Sequence, residues 1–140
     1  MVAENALRLP REAVSINLLV GQRLESVRLG HAIVLSFSGG RQVVIESLVH
    51  LSGPGGRAEV QPGENPSDVL ATLLGEVVQV ARAHHTGELH VAFGSGSRLS
   101  VDVDPDFESW AVTGPDGLHI VCLARGELAF WGDARTSARR

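Results

Sequence analysis

The residues with the clearest chemical potential lie in the run SVDVDPDFESW, where Asp102, Asp104, Asp106 and Glu108 recur at every second position. Oxygen-rich clusters bind divalent cations, and a pair of carboxylates can work as acid and base on a glycosidic bond. Strand alternation places Asp102 and Asp104 on the face opposite Val101 and Val103, and Pro105 then ends the strand. The spacing departs from the calcium-loop pattern. A solvated strand face whose charge protects a sheet edge, or an acidic surface for a basic protein, therefore competes with a metal or carboxylate site.

Histidines supply the second group. His84, His85 and His90 surround the Thr86-Gly87 turn, and a two-residue loop there would put His85 and His90 on one exposed face within diagonal reach. His31 stands near the equivalent turn upstream, while His50 lies outside that correspondence. Two imidazoles do not define a zinc site, the spacing is not HExxH, and His119 and Cys122 differ in strand parity. His85, His90, Asp102 and Asp104 are the candidate ligand or metal residues of a small-molecule binder or hydrolase.

Nucleophile and phosphate signals are weaker. Cys122 is the single cysteine, so no internal disulfide exists, and Val121 and Leu123 beside it read as a packed strand. Ser95-Gly96-Ser97 joins two strands, whereas a nucleophile elbow needs a strand-to-helix turn. The glycine-rich stretches at 53–56 and 94–96 lack both that setting and a lysine. All 12 basic residues are Arg and none is Lys, which removes Schiff-base chemistry, a Ser-Lys dyad and the ordinary phosphate-loop lysine. No cofactor is expected. A net charge of -4, scattered arginines and no aromatic-basic interleaving argue against a nucleic-acid partner. The start of the chain has no basic-then-apolar leader and no stretch has the length of a membrane span, so the reading is a cytoplasmic, non-membrane protein.

The elements that position these residues follow from period-two alternation. In GQRLESVRLGHAIVLSFSGGRQVVIES, Ile33, Leu35 and Phe37 share one face; in GEVVQVARAHHTGELHVAFGSGSRLSVDV, Leu89, Val91 and Phe93 do the same. Gly21 matches Gly75, Leu24 matches Val78, Phe37 matches Phe93, Gly40 matches Gly96, Val43 matches Leu99 and Ile45 matches Val101. The chain thus contains an internal repeat, 21–47 and 75–103, each copy a three-stranded meander. Phe37 can pair with Val43 across a Gly39-Gly40-Arg41 turn, and Leu89, Val91 and Phe93 can oppose Leu99, Val101 and Val103 across Ser95-Gly96-Ser97. Ala13 to Val20 is ambiguous between strand and helical turn. Between the copies, LSGPGGRAEVQPGENPSDVLATLLGE reads as a loop rich in Pro and Gly. A short helix follows, capped at Asn65, with Val69, Leu70, Leu73 and Leu74 on one face.

Two or three more strands are predicted over Trp110 to Thr113, Leu118 to Ala124 and Glu127 to Trp131, and a flexible tail from about 133 to 140. Both tryptophans lie in this section. Trp110, Phe130 and Trp131 form either core or a patch for a partner.

The segment FESWAVTGPDGLHIVCLARGELAFW resembles a group of small, uncharacterised actinobacterial proteins. Their C-terminal half carries a Trp, a GPDG turn, a Val-Cys and a final Gly-Glu-Leu-Ala-x-Trp. The matching positions here are Trp110, Gly114 to Gly117, Val121, Cys122, Gly126 to Ala129 and Trp131, with Arg125-Gly126 where relatives often have a Pro/Gly-rich turn. The resemblance runs from about Gly21 to Trp131 and implies no activity, although some small proteins of this kind look like accessory or toxin-immunity proteins.

The expectation is one α+β domain over 1–140, mainly antiparallel sheet built from two repeated meanders with one short helix between them, as a curled sheet or partial barrel. Its leading function is a non-catalytic protein-binding or accessory module, dimeric or with a protein partner through a sheet edge or the tryptophan hairpin.

Overall fold

Alternation decides the architecture, because each strand that shows it has one face to bury. Ile33, Leu35 and Phe37 are buried while Val34 and Ser36 between them are half-exposed, and Leu89, Val91 and Phe93 repeat the pattern. The computed structural model describes residues 14–64, 69–115 and 117–132. Its strands in chain order are β1 (Val14–Ser15), β2 (Leu24–Leu29), β3 (Ile33–Phe37), β4 (Arg41–Ile45), β5 (Val49–Gly53), β6 (Gly56–Val60), β7 (Val78–Ala83), β8 (Leu89–Phe93), β9 (Arg98–Val101), β10 (Trp110–Thr113), β11 (His119–Cys122) and β12 (Leu128–Trp131). They form two six-stranded antiparallel sheets, in the orders β12-β11-β10-β4-β3-β2 and β1-β7-β8-β9-β5-β6. This is an α+β fold dominated by antiparallel sheet, with short helical segments.

The two meanders, β2-β3-β4 and β7-β8-β9, are joined to each other at their first strands. Leu24 N donates to Glu76 O and Val78 N donates to Gln22 O, both at 2.9 Å. Gly21 N donates to Val78 O and Gly75 N to Leu24 O, both at 2.8 Å. The bonds are reciprocal, as an approximate two-fold relation between the copies requires. Each first strand also carries a bulge at the matching place, between Leu24 and Ser26 in one copy and between Val78 and Val80 in the other. A bulge bends and twists its strand, which turns one sheet away from the other at this corner.

Each meander is then extended by a hairpin from the other half. The β5-β6 hairpin pairs with β9, Val49 opposite Val101, and the β10-β11-β12 unit pairs with β4, Trp110 opposite Ile45. The inward faces of both sheets contribute to one buried cluster that includes Leu35, Ile45, Val49, Val60, Leu99, Val101, Trp110 and Cys122.

Four local expectations change. The β5-β6 hairpin occupies part of the connector read as loop: Val49 and Leu51 point inward, and the Pro54-Gly55 pair makes the tip of the hairpin instead of abolishing the strands. The first meander's second turn is Ser38-Gly39-Gly40, with both glycines near φ +78, so Phe37 opposes Arg41 and Leu35 opposes Val43. In the second meander Leu89 opposes Val101 and Val91 opposes Leu99, and Val103 lies beyond the strand. The short helix is a 3-10 turn, Leu70–Leu73, which buries Leu70 and Leu73 but leaves Leu74 exposed, because a three-residue period does not carry Leu74 onto the same face. Its expected cap at Asn65 and the tail at 133–140 lie outside the described residues. Ala13 to Val20 resolves, within the described part, into β1 followed by a 3-10 turn at Asn17–Leu19.

Candidate functional site

The outward faces of β7, β8, β9, β5 and β6 line an open groove of about 940 Å³. Strand register assembles it from two rows of side chains. One row runs Glu59, His50, Ser100, His90, Arg82, each opposite the next on the neighbouring strand. The parallel row runs Arg57, Ser52, Arg98, Ala92 in the same way, and Val80 opposes Ala92 at its far end. The floor is made of small side chains, Ser52, Ser100 and Ala92, and the rim of long charged ones. The outer face of the other sheet differs, because Val34, Val44, Ala111, Val121 and Ala129 occupy successive positions of one of its cross-strand rows.

His50 is the best-held side chain of the groove. Its Nε2 lies 3.0 Å from each carboxylate oxygen of Asp102, and its Nδ1 lies 3.1 Å from Glu59 Oε2. The hydrogen bond with Asp102 raises the imidazole pKa above its ordinary value of 6.5; partial burial opposes this, and the negative charges of Asp102 and Glu59 reinforce it. An imidazolium donating from both nitrogens satisfies this geometry. Such a ring has no free lone pair with which to take a proton from the neighbouring Ser100.

The four candidate residues do not converge. Asp102 binds His50. Asp104 Oδ1 accepts the backbone N–H groups of Asp106 and Phe107 at 2.8 and 3.1 Å, which folds its own loop. His90 meets Glu88 at 3.2 Å. His85 packs against His84, with ring centroids 4.2 Å apart. The β7-β8 loop is longer than a two-residue turn, since His84 N donates to Glu88 O, and this brings His84 instead of His85 towards His90, at 5.9 Å. Among the described residues no three His, Cys, Asp or Glu side chains are grouped to hold a metal ion.

The aromatic candidates also part. Trp110 is buried, and its Nε1 donates to Gly87 O at 2.9 Å. Phe130 packs half-buried against the core. Trp131 is 51% exposed on the edge strand β12, tilted against His119 with centroids 5.4 Å apart. Cys122 is buried and its Sγ also faces Gly87 O, at 3.4 Å; burial pushes the thiol up to about 11, so it offers no thiolate at neutral pH.

His50, Arg57, Glu59, Arg82 and Arg98 are groove residues that sequence reasoning missed. For His50, Arg57 and Glu59 the signal was present in LVHLSGPGGRAEV, where apolar and polar residues alternate on both sides of a Pro-Gly pair.

Among the described residues no helix is long and apolar enough to cross a membrane. A family model described as a family of unknown function (DUF6188) matches residues 15–132. No curated protein and no solved structure matches the chain.

Proposed function

Since the chain belongs to DUF6188, a family of unknown function, we propose from the geometry of the groove that it is a non-catalytic protein-binding module whose binding face is the outside of the β7-β8-β9-β5-β6 sheet. The observation that carries this reading is a concave face with a floor of Ser52, Ser100 and Ala92, a charged rim, and a central imidazole whose two nitrogens are both engaged. Such a surface offers shape and hydrogen bonds without a reactive group. A hydrolytic role would require a proton acceptor that His50, held between Asp102 and Glu59, does not supply. An accessory or immunity-like role is the form this reading takes if the partner is another protein's functional surface.

The same reading places the protein in the cytoplasm without nucleic-acid or membrane partners. It treats 1–140 as one domain, and it assigns the chain to actinobacterial relatives sharing the Trp, GPDG, Val-Cys and GELA-x-Trp pattern. If two copies associate, β12 supports it as an open sheet edge carrying the exposed Trp131.

A photoreactive phenylalanine analogue in place of Val80, which is 46% exposed at the groove's end, tests the reading. In lysate of the native cell it should give a protein adduct that excess unlabelled protein competes away. The same analogue in place of Gln42, on the other sheet, should give none. Identical adducts from both positions, or none from Val80, would sink the proposal.

A further inference from the structure

Resting on that reading, we infer that the groove binds an extended acidic polypeptide segment, with Arg57 and Arg98 clamping one of its carboxylates above Ser52. Arg57 on β6 and Arg98 on β9 are both directly opposite Ser52 on β5, so the two guanidiniums rise from the same face on either side of one hydroxyl. Their strands are two spacings apart, about 10 Å, a gap that two long side chains close over a single anion. Arginine's planar fork matches a carboxylate with two parallel bonds.

The charge distribution supports this assignment. Glu59 and Asp102, the acidic groups at this end of the groove, are both engaged by His50. Arg57, Arg82 and Arg98 are exposed, and no carboxylate of a described residue lies within ion-pair distance of them. One imidazolium hydrogen-bonds both carboxylates and balances one of their two charges, while no described carboxylate pairs with the three guanidiniums, so this face keeps a surplus of positive charge within a chain whose net charge is -4. Arg82 stands two strands from Arg98 and one row along, about 12 Å away. From the clamp above Ser52 the span is one strand longer, about 16 Å, which an extended peptide with same-face side chains about every 7 Å covers with acidic residues at i and i+4 and the reach of a long arginine side chain. Ser52, Ser100 and Ala92 leave room for its backbone. A polynucleotide fits worse, because no Phe, Trp or Tyr lines the groove for a base to stack on.

Fluorescence anisotropy with a labelled peptide of alternating Glu and Ala decides the matter, with its Gln-for-Glu counterpart and a single-stranded DNA oligonucleotide as controls. The Glu peptide should bind at least about tenfold more tightly than the Gln peptide, and weaken with salt. Arg57→Gln with Arg98→Gln should cost about tenfold or more, whereas Arg28→Gln on exposed β2 should stay within about twofold, with circular dichroism confirming that both variants fold. Equal binding of Glu and Gln peptides, equal loss in the Arg28 variant, tighter binding of the DNA, or no binding at all each overturns the inference. A Val80 adduct that survives the double Arg substitution undiminished would overturn the acidic assignment alone and leave the groove as the binding face.

Discussion

At the scale of single residues, His50 makes the folded protein respond to pH. Its pKa is raised in the folded protein, chiefly by the hydrogen bond with Asp102. The protonated ring is therefore favoured by folding. The stability it contributes is fully present below its ordinary value of 6.5 and is lost as pH rises through the raised folded value. Thermal or urea unfolding of the wild type and of His50→Gln, compared between about pH 6 and pH 8, should show the wild-type advantage shrinking towards alkaline pH. An NMR titration should place the His50 midpoint above 6.5 and return it downwards in Asp102→Asn. A midpoint at or below 6.5, or one that Asp102→Asn leaves in place, would show that the Asp102 hydrogen bond does not hold the ring in its charged form. The sequence made Asp102 conspicuous but not its partner. Asp102 belongs to a visible acidic run, whereas His50 meets it only through strand pairing of β5 with β9, a long-range fact that local periodicity does not contain.

At the scale of elements, alternation made most strands readable and turn chemistry set the limits. β2, β3, β4, β7, β8, β9 and the three C-terminal strands follow from period-two patterns, but β5 and β6 were masked by Pro54, Gly55 and Gly56, which punctuate a hairpin as readily as they break a strand. A second element-level feature left no local trace. Gly87, at φ +103 in the β7-β8 loop, packs so closely on the turn after β11 that an added Cβ would lie 2.4 Å from Gly126 Cα. Its carbonyl also accepts the Trp110 indole N–H and faces the Cys122 thiol. The loop of one sheet thereby closes the end of the other. Gly96, at φ +98, has nothing within 4 Å of an added Cβ. Gly87→Ala should thus cost about 2–4 kcal/mol through backbone strain plus overpacking, and Gly96→Ala about 1 kcal/mol through strain alone. Urea denaturation of the two variants measures the difference, and equal losses would show that the contact between the sheets is not tight.

At the scale of the whole molecule, the exchange of hairpins makes each half depend on the other. The first half supplies β1, β5 and β6 to the sheet built on β7-β8-β9, and the second supplies β10, β11 and β12 to the sheet built on β2-β3-β4. Separated, each half would keep a three-stranded meander whose apolar face, Leu35 and Val43 in one case and Val91 and Leu99 in the other, has lost most of its cover. It would also expose a new edge, β4 or β9, where hydrophobic strands aggregate. The halves nevertheless carry the complete set of strands between them, and their corner is held by reciprocal backbone bonds that need no covalent connection. The polypeptide 1–64 alone and 65–140 alone should therefore show no cooperative unfolding, while an equimolar mixture should recover the sheet signal in circular dichroism and a single transition like that of the intact chain. The second half carries eight residues, Asp102 to Ser109, where the first carries three, Glu46 to Leu48, between its meander and its hairpin. That extra length holds Asp102, which crosses to His50 of the other half, so the recombined mixture should also restore the raised His50 midpoint. A fragment that unfolds cooperatively by itself would show that its meander is an independent unit and that the exchanged hairpin is an ornament on it.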